Sequence, residues 1–397
     1  MTTFSGAIHY PNEIVVGPGA ARRAGEWAER LGGGARTRAF VVTDQGVRGA
    51  GLLEHVGAPG GGQVVFDAVR ANPDEAAVRE ATRAFKESGA QVIVGVGGGS
   101  PLDVAKAVRL AATHDRPLLD FDDFTGGDRW VVNPLPPMVA IPTTAGTGSE
   151  VGRAAVIILP DAGRKVVLFA PALLPNVALL DPEMTAGLPR GPTAATGLDA
   201  LTHCVESFVA RGYHPVADAV ALRGARMIAR ALPRVYETPG DLEARTEMLV
   251  AASMGAMAFQ KGLGASHALA HPLGSECGVH HGHANAICLP HVLRFNAAVP
   301  DDGGANGGSG GLASAANTRA RLAELATAMD LGGPDALPDL VESLARGGGL
   351  VTRLRDANVP REKLPALAKL ALEDHAHKSN PRAVTHADLL ALYEAAW

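Results

Sequence analysis

A short apolar run, Gln91–Val96 (QVIVGV), passes directly into Gly97, Gly98 and Gly99 and then into the helical pattern SPLDVAK, residues 100–106. An apolar run followed at once by glycines and a helix start reads as a buried strand entering a helix through a tight turn. The alternation recurs. Ala39–Thr43 (AFVVT), Val64–Phe66, Met138–Pro142 (MVAIP) and Val177–Leu180 (VALL) are strand-like runs separated by helix-like segments. Such alternation predicts an α/β domain on a doubly wound, mostly parallel sheet. The pattern ends near Pro192. Beyond it the periodicities are long and helical, and Glu247–Phe259 (EMLVAASMGAMAF) is apolar enough for a buried helix. A length of 397 residues also exceeds one ordinary core. We therefore expect two domains, 1–190 (α/β) and 191–397 (all-α), with the boundary in the turn-forming stretch near residues 185–193. The low-complexity segment 301–316 (DDGGANGGSGGLASAA) is expected to be a flexible surface loop.

Composition excludes several classes. The net charge of −5 and the absence of a dense Lys/Arg block argue against a nucleic-acid or anionic-membrane partner. The start, MTTFSGAIHYPNEIVV, lacks the basic and apolar regions of a signal peptide, and no apolar run reaches membrane-spanning length. Cys204, Cys277 and Cys288 show no CxxC spacing, so reduced thiols and a cytoplasmic location are expected.

Glycines between a strand and a helix let backbone N–H groups approach a phosphate at the helix amino terminus. Helix capping competes as an explanation. Ser100 as N-cap, Pro101 at the first helical position and Asp103 as capping-box partner need no ligand. Capping does not account for three successive glycines, which cost conformational entropy. A second loop, Pro142–Glu150 (PTTAGTGSE), also follows a strand and offers Thr143, Thr144 and Thr147 to a cofactor; an ordinary polar loop is the alternative. Two such loops suit the rule that ligands bind beyond the carboxyl ends of parallel strands.

Asp199 and His203 lie four apart in a helical context, GLDALTHCVE, and so share a face. His267 and His271 repeat the spacing. Five of the fourteen histidines fall within residues 267–283, among glycines and apolar residues. Imidazoles with one carboxylate suit Fe(II), Zn(II) or a similar ion, although single histidines are more often packed core or surface residues. Spacing alone does not rank His280, His281 and His283.

GGGSPLDVAK, IPTTAGTGSEV, TAATGLDALTHCVE, SHALAHPLG and HGHANAICLPHVLRFN together resemble the iron-containing (group III) alcohol dehydrogenase family. The similarity runs from about Ile14 to Trp397 and includes TDQGV at 43–47. The resemblance implies a dehydroquinate synthase-like fold, with a nucleotide-binding α/β domain and a helical metal-binding domain. It places metal ligands at Asp199, His203, His267 and His281, the last preceding a glycine and lying fourteen residues after His267. It places cofactor contacts at Asp44, Gly97, Gly98, Gly99, Ser100, Asp103, Thr143, Thr144, Thr147 and Lys165. Asp44 would bond an adenosine ribose and repel a 2′-phosphate, favouring NAD over NADP; a turn or helix cap is its other reading.

The implied activity is a metal-dependent, NAD(P)-linked alcohol dehydrogenase or aldehyde reductase, in a homodimer or larger homo-oligomer. His271 is the candidate for proton exchange with solvent, with packing as its alternative role. EVGRAAVII (150–158), GRKVV (163–167), GAMAFQKGLG (255–264), HHG (280–282) and DHAHKSNPR (374–382) look closest to the family's 4-hydroxybutyrate dehydrogenase branch. That branch interconverts 4-hydroxybutyrate and succinic semialdehyde. A substrate carboxylate needs a cation, and Arg153, Lys261, His375, His377 and Lys378 are the candidates. Maleylacetate reductase, phosphonoacetaldehyde reductase and a dehydroquinate synthase-like lyase are the rival activities.

Overall fold

The computed structural model describes residues 12–299 and 315–397. The chain divides into one compact unit ending at Leu188 and another running from Pro189 to Trp397.

The first unit contains strands β1 (Glu13–Val16), β2 (Ala39–Asp44), β3 (Gln63–Val69), β4 (Val92–Gly97), β5 (Met138–Pro142), β6 (Ala154–Leu159), β7 (Arg164–Phe169) and β8 (Val177–Leu180). Its helices are α1 (Ala24–Gly32), α2 (Gln45–Gly49), α3 (Glu75–Ser88) and α4 (Gly99–Thr113). Six strands form one parallel sheet in the order β1-β8-β5-β4-β2-β3. Period-2 side chains explain why both faces are apolar. Phe40, Val42, Ile93, Met138 and Ala140 join Val104 and Val108 of α4 in one core. Ala39, Val41, Val92, Val94, Val139 and Ile141 point the other way, against Ala24, Trp27 and Ala28 of α1.

Each of the five strand-like runs read from the sequence coincides with a sheet strand, with Gln91 lying one residue before β4. The short β1 and the antiparallel β6–β7 ribbon went unread. In the ribbon Val156 and Val167 lie on the exposed face, so apolar residues on both sides blur the alternation.

The second unit is helical: α5 (Arg190–Val209), α6 (Pro215–Glu237), α7 (Leu242–Ala258), α8 (Ala265–Cys277), α9 (His281–Ala297), α10 (Ala315–Ala328), α11 (Ala336–Gly347), α12 (Leu364–Glu373) and α13 (His386–Ala396). From Thr193 to Val209, α5 is buried apart from Thr196, so it is the helix around which others pack. Glycines permit close approach there. A Cβ on Gly255 of α7 would lie 3.1 Å from Ala200 O and from His203 Cβ. The expected buried helix at 247–259 is found as the greater part of α7, which ends one residue earlier at Ala258. Of the expected loop at 301–316, residues 301–314 lie outside the described residues, and Ala315 already begins α10. Among the described residues, no helix is long and apolar enough to cross a membrane.

Candidate metal and cofactor sites

In the helical unit, α5 presents Asp199, His203 and Glu206 at i, i+4 and i+7, a single helix face. All three are buried. His267 stands in the first turn of α8 and His281 opens α9. Asp199, His203 and His267 offer ligand atoms within 4.8 Å of one another. Asp199 Oδ1 is the hub, at 4.0 Å from His203 Nε2, 3.9 Å from His267 Nε2 and 3.4 Å from His281 Nε2. Donors placed tetrahedrally about 2.1 Å from one ion stand about 3.4 Å apart. The observed set is at that spacing or slightly wider, so a divalent ion fits with a small contraction.

Proton placement supports the same reading. Asn285, one turn after His281, donates Nδ2 to Asp199 Oδ1 at 2.9 Å, and the same nitrogen lies 3.3 Å from His267 Nε2 and His281 Nε2. With one N–H given to Asp199, the amide has a second to offer this imidazole pair, and the ring nitrogen that accepts it turns a lone pair inward, as a cation requires. Burial would raise the Asp199 carboxyl, but His203, His281, His267 and the Asn285 amide together hold it well below the usual carboxylate range. Burial pushes His281 well below its ordinary value, toward the neutral form that ligates metals.

Gly282 allows His281 to arrive. A Cβ there would stand 2.1 Å from Ala195 O and 3.1 Å from Asp199 Cβ, so α9 starts directly against α5. Of its neighbours, His280 is the N-cap residue of α9 and makes no side-chain cap bond, while His283 Nε2 is engaged elsewhere, bonding Val351 O at 2.8 Å. His271, one turn beyond His267, stacks on His281 with ring centroids 5.2 Å apart and planes 12° from parallel. Its Nδ1 lies 2.7 Å from Asp374 Oδ2, and its side chain is 44% exposed.

Glu206, Asn285 and Asp374 were not singled out in the sequence. Two of them carried a signal: Glu206 extends the Asp199/His203 stripe by one turn, and Asn285 lies four residues after His281. Asp374 lay within a quoted motif, but its pairing with His271 bridges about a hundred residues and has no periodic signature.

In the α/β unit, the sheet order places the topological switch between β2 and β4, because the chain runs from β2 outward to β3 and from β4 outward to β5. Nucleotides bind beyond the carboxyl ends of strands at such a point. Asp44 ends β2, Gly97 ends β4, and Thr143 follows β5. Asp44 also caps α2, accepting from Val47 N at 2.8 Å.

The expected Ser100 cap is corrected. Gly98 is the N-cap of α4, with no side-chain cap bond, and the helix begins at Gly99. Gly97, at φ 150°, makes the turn, and the Pro101 ring lies where its Cβ would be, at 2.5 Å. The other two glycines are explained by the second loop. A Cβ on Gly98 would meet Thr144 Oγ1 at 3.3 Å, and one on Gly99 would meet Thr147 Cγ2 at 3.0 Å. Asp103 does not form a capping box. It accepts from Ser149 Oγ at 2.7 Å and from Val156 N at 3.0 Å. Lys106, fully buried, donates to Ser149 Oγ and to Ala154 O, each at 2.8 Å. Burial draws its ammonium down to about 8 against the pull of Asp103 and Glu150. Helix α4 thus clamps the threonine-rich loop. Lys165, on β7, bonds Asn72 Oδ1 at 2.8 Å.

The expected substrate cations lie on different elements. Arg153 lies over the Phe169 ring at 5.2 Å. Lys261 is not available: its side chain is 2% exposed, and Nζ binds Asp218 Oδ1 at 2.5 Å and Phe208 O at 3.0 Å. His377 bonds Leu372 O at 2.9 Å, and Lys378 is exposed. These two lie in the 3₁₀ turn His375–Ser379, capped by the same Asp374 that holds His271.

Nucleotide-type loops in one unit and an imidazole–carboxylate cluster in the other are the parts of a metal-dependent, nicotinamide-linked oxidoreductase. The family description "Iron-containing alcohol dehydrogenase" matches residues 11–182, and "Fe-containing alcohol dehydrogenase family, C-terminal" matches 193–397. The chain is 40% identical to 4-hydroxybutyrate dehydrogenase of Cupriavidus necator, over 98% of each chain. It superposes on the crystal structure of a 1,3-propanediol oxidoreductase with a TM-score of 0.87, 35% identity, and coverage of 99% of this chain and 100% of that one. Sulfoacetaldehyde reductase from Bifidobacterium kashiwanohense, solved in complex with NAD+, gives a TM-score of 0.84 at 27% identity over 99% of each chain. The chain belongs to the iron-containing alcohol dehydrogenase family and is an NAD-linked alcohol/aldehyde oxidoreductase.

Proposed function

We propose that this enzyme reduces small aldehydes bearing an acidic group, of the succinic semialdehyde/4-hydroxybutyrate kind, with NADH as hydride donor and a divalent metal held by Asp199, His203, His267 and His281. The observation that carries the metal reading is the convergence of three Nε2 atoms on Asp199 Oδ1, with Fe(II) as the expected ion and Zn(II) as the alternative. When bound, the ion supplies Lewis acidity toward the carbonyl or alcohol oxygen while the nicotinamide carries the hydride.

The chain's own residues supply the rest. Asn285 holds Asp199 in place. Asp374 takes one nitrogen of His271, which leaves Nε2 to exchange a proton with solvent at the exposed edge of the cluster. Gly97, Gly98 and Gly99 bring the start of α4 to the cofactor phosphates, with Ser100 in the first turn and Thr143, Thr144 and Thr147 on the facing loop. Asp103 ties α4 to that loop through Ser149 Oγ, and both Asp103 and Lys165 stay in the proposed cofactor set. Asp44 spends one oxygen on the α2 cap, and its other oxygen serves the ribose; this favours NAD over NADP.

The acidic-substrate reading rests on the 40% identity to 4-hydroxybutyrate dehydrogenase and on His377 and Lys378, whose turn adjoins His271 through Asp374. Steady-state rates with succinic semialdehyde, phosphonoacetaldehyde, lactaldehyde and propanal test it. The acidic aldehydes should give the highest kcat/KM, and Lys378→Ala should raise KM for them alone. Equal or better kcat/KM for the neutral aldehydes would overturn the substrate assignment.

A further inference from the structure

Helix α8 begins without a capping side chain of its own: its N-cap is Gly264, which makes no side-chain bond. The N–H groups exposed at such a start need partners. Glu206 of α5 supplies them, accepting from Ser266 N at 2.6 Å and Gly264 N at 3.0 Å. The neighbouring Ala265 N goes to Asn380 Oδ1. The Glu206 oxygen that takes Gly264 N also lies 2.6 Å from His267 Nδ1. The two side chains are 2% and 1% exposed. A Cβ on Gly264 would stand 2.7 Å from the carboxylate, so no larger residue fits at this helix start.

A carboxylate accepting two backbone N–H bonds is an acceptor only, so the bond to His267 is donated by Nδ1–H. That proton placement leaves Nε2 as the lone-pair nitrogen facing Asp199. A negative charge behind an imidazole also makes it a stronger ligand. We propose that Glu206 is a positioning residue for metal binding. It fixes the tautomer, ring orientation and basicity of His267 from a site on the same helix face as Asp199 and His203. One side chain on α5 thus couples the start of α8 to the ligand set. This inference rests on the proposed ligand set.

The test uses the full-length protein and its Glu206→Gln, Glu206→Asp and His267→Ala variants. Zn(II) affinity is read by competition with a chromophoric chelator, the ligand field by the visible d–d absorption of the Co(II)-loaded protein, and NADH binding by fluorescence. Loss of the charge should weaken Zn(II) binding about 10- to 100-fold, shift the Co(II) bands and leave the NADH dissociation constant unchanged. Glu206→Asp keeps the charge on a shorter arm and should recover part of the affinity. If the Gln variant does not fold, the Asp variant alone decides, with an expected loss of at least about threefold. A folded Gln or Asp variant with wild-type Zn(II) affinity and Co(II) spectrum, beside a His267→Ala variant that loses the metal, overturns the role of Glu206 and leaves the ligand set standing. Wild-type Zn(II) affinity in His267→Ala overturns the ligand set, and with it this inference.

Discussion

Two residues beside the ligand set lend themselves to direct tests. Asp374 pairs with His271, whose ring stacks on that of His281, and the role proposed for the pair is proton exchange rather than metal retention. Asp374→Asn should lower kcat about tenfold, at the modest end of proton-transfer effects, with metal content per chain unchanged. Loss of metal in step with activity would place Asp374 among the structural supports instead. Cys204 offers a test by pH. It is buried against Gly224, where a Cβ would stand 2.8 Å from its sulfur, and burial pushes its thiol up to about 12 from an ordinary value of 9.0. Between those values the unfolded chain has released a proton that the folded one retains. This contribution to stability is therefore complete below pH 9 and declines as pH rises toward 12. Denaturant unfolding at pH 8 and pH 10.5 should show a smaller loss for Cys204→Ala than for the parent. In the native state a thiol reagent should modify the half-buried Cys277 and spare Cys204 and Cys288.

At the scale of elements, both sites depend on close approach of backbones. Gly282→Ala would drive a methyl group into Ala195 O and push α9 away from α5. We expect about 1–3 kcal/mol of destabilisation together with reduced metal content, measured by unfolding and by elemental analysis. Retained metal would mean that α9 reaches α5 some other way. The clamp of α4 on the threonine-rich loop predicts a different signature. Lys106→Met should raise KM for NADH several-fold with little change in metal content, because it removes one of the bonds that hold Ser149 and leaves the Ala154 carbonyl without its lysine. These elements differ in how far they could be read beforehand. The central strands were legible because a strand buried on both faces is continuously apolar. The α4 start was misplaced by two residues, Ser100 for the actual N-cap Gly98, because Ser-Pro-x-Asp is a strong capping pattern. Here the turn is made by Gly97, and Asp103 is drawn to Ser149, a partner 46 positions away. The ribbon β6–β7 was hidden by apolar residues on its exposed face.

For the whole molecule, the proposed ligand set draws together α5, α8 and α9. Removing the metal with a chelator should lower the melting temperature of the helical unit. At a free metal concentration of about 100 times Kd, the linkage amounts to about 2.7 kcal/mol, or about 5–10 °C for a unit of this size. An unchanged melting temperature would argue that these side chains bind no ion. The four ligand candidates were legible, two from helical spacing and the set from resemblance. The surrounding bonds were less so, since Glu206 to His267 and His271 to Asp374 span 61 and 103 positions, and only folding brings them together. Asp199, His203 and Glu206 share one stripe of a helix that is buried along almost its whole length. Each residue of an α-helix advances the azimuth by about 100°, so a single-residue deletion between Arg190 and Asp199 would rotate the entire stripe away from α8 and α9. Surface turns tolerate a longer or shorter chain, but the register of α5 has no slack.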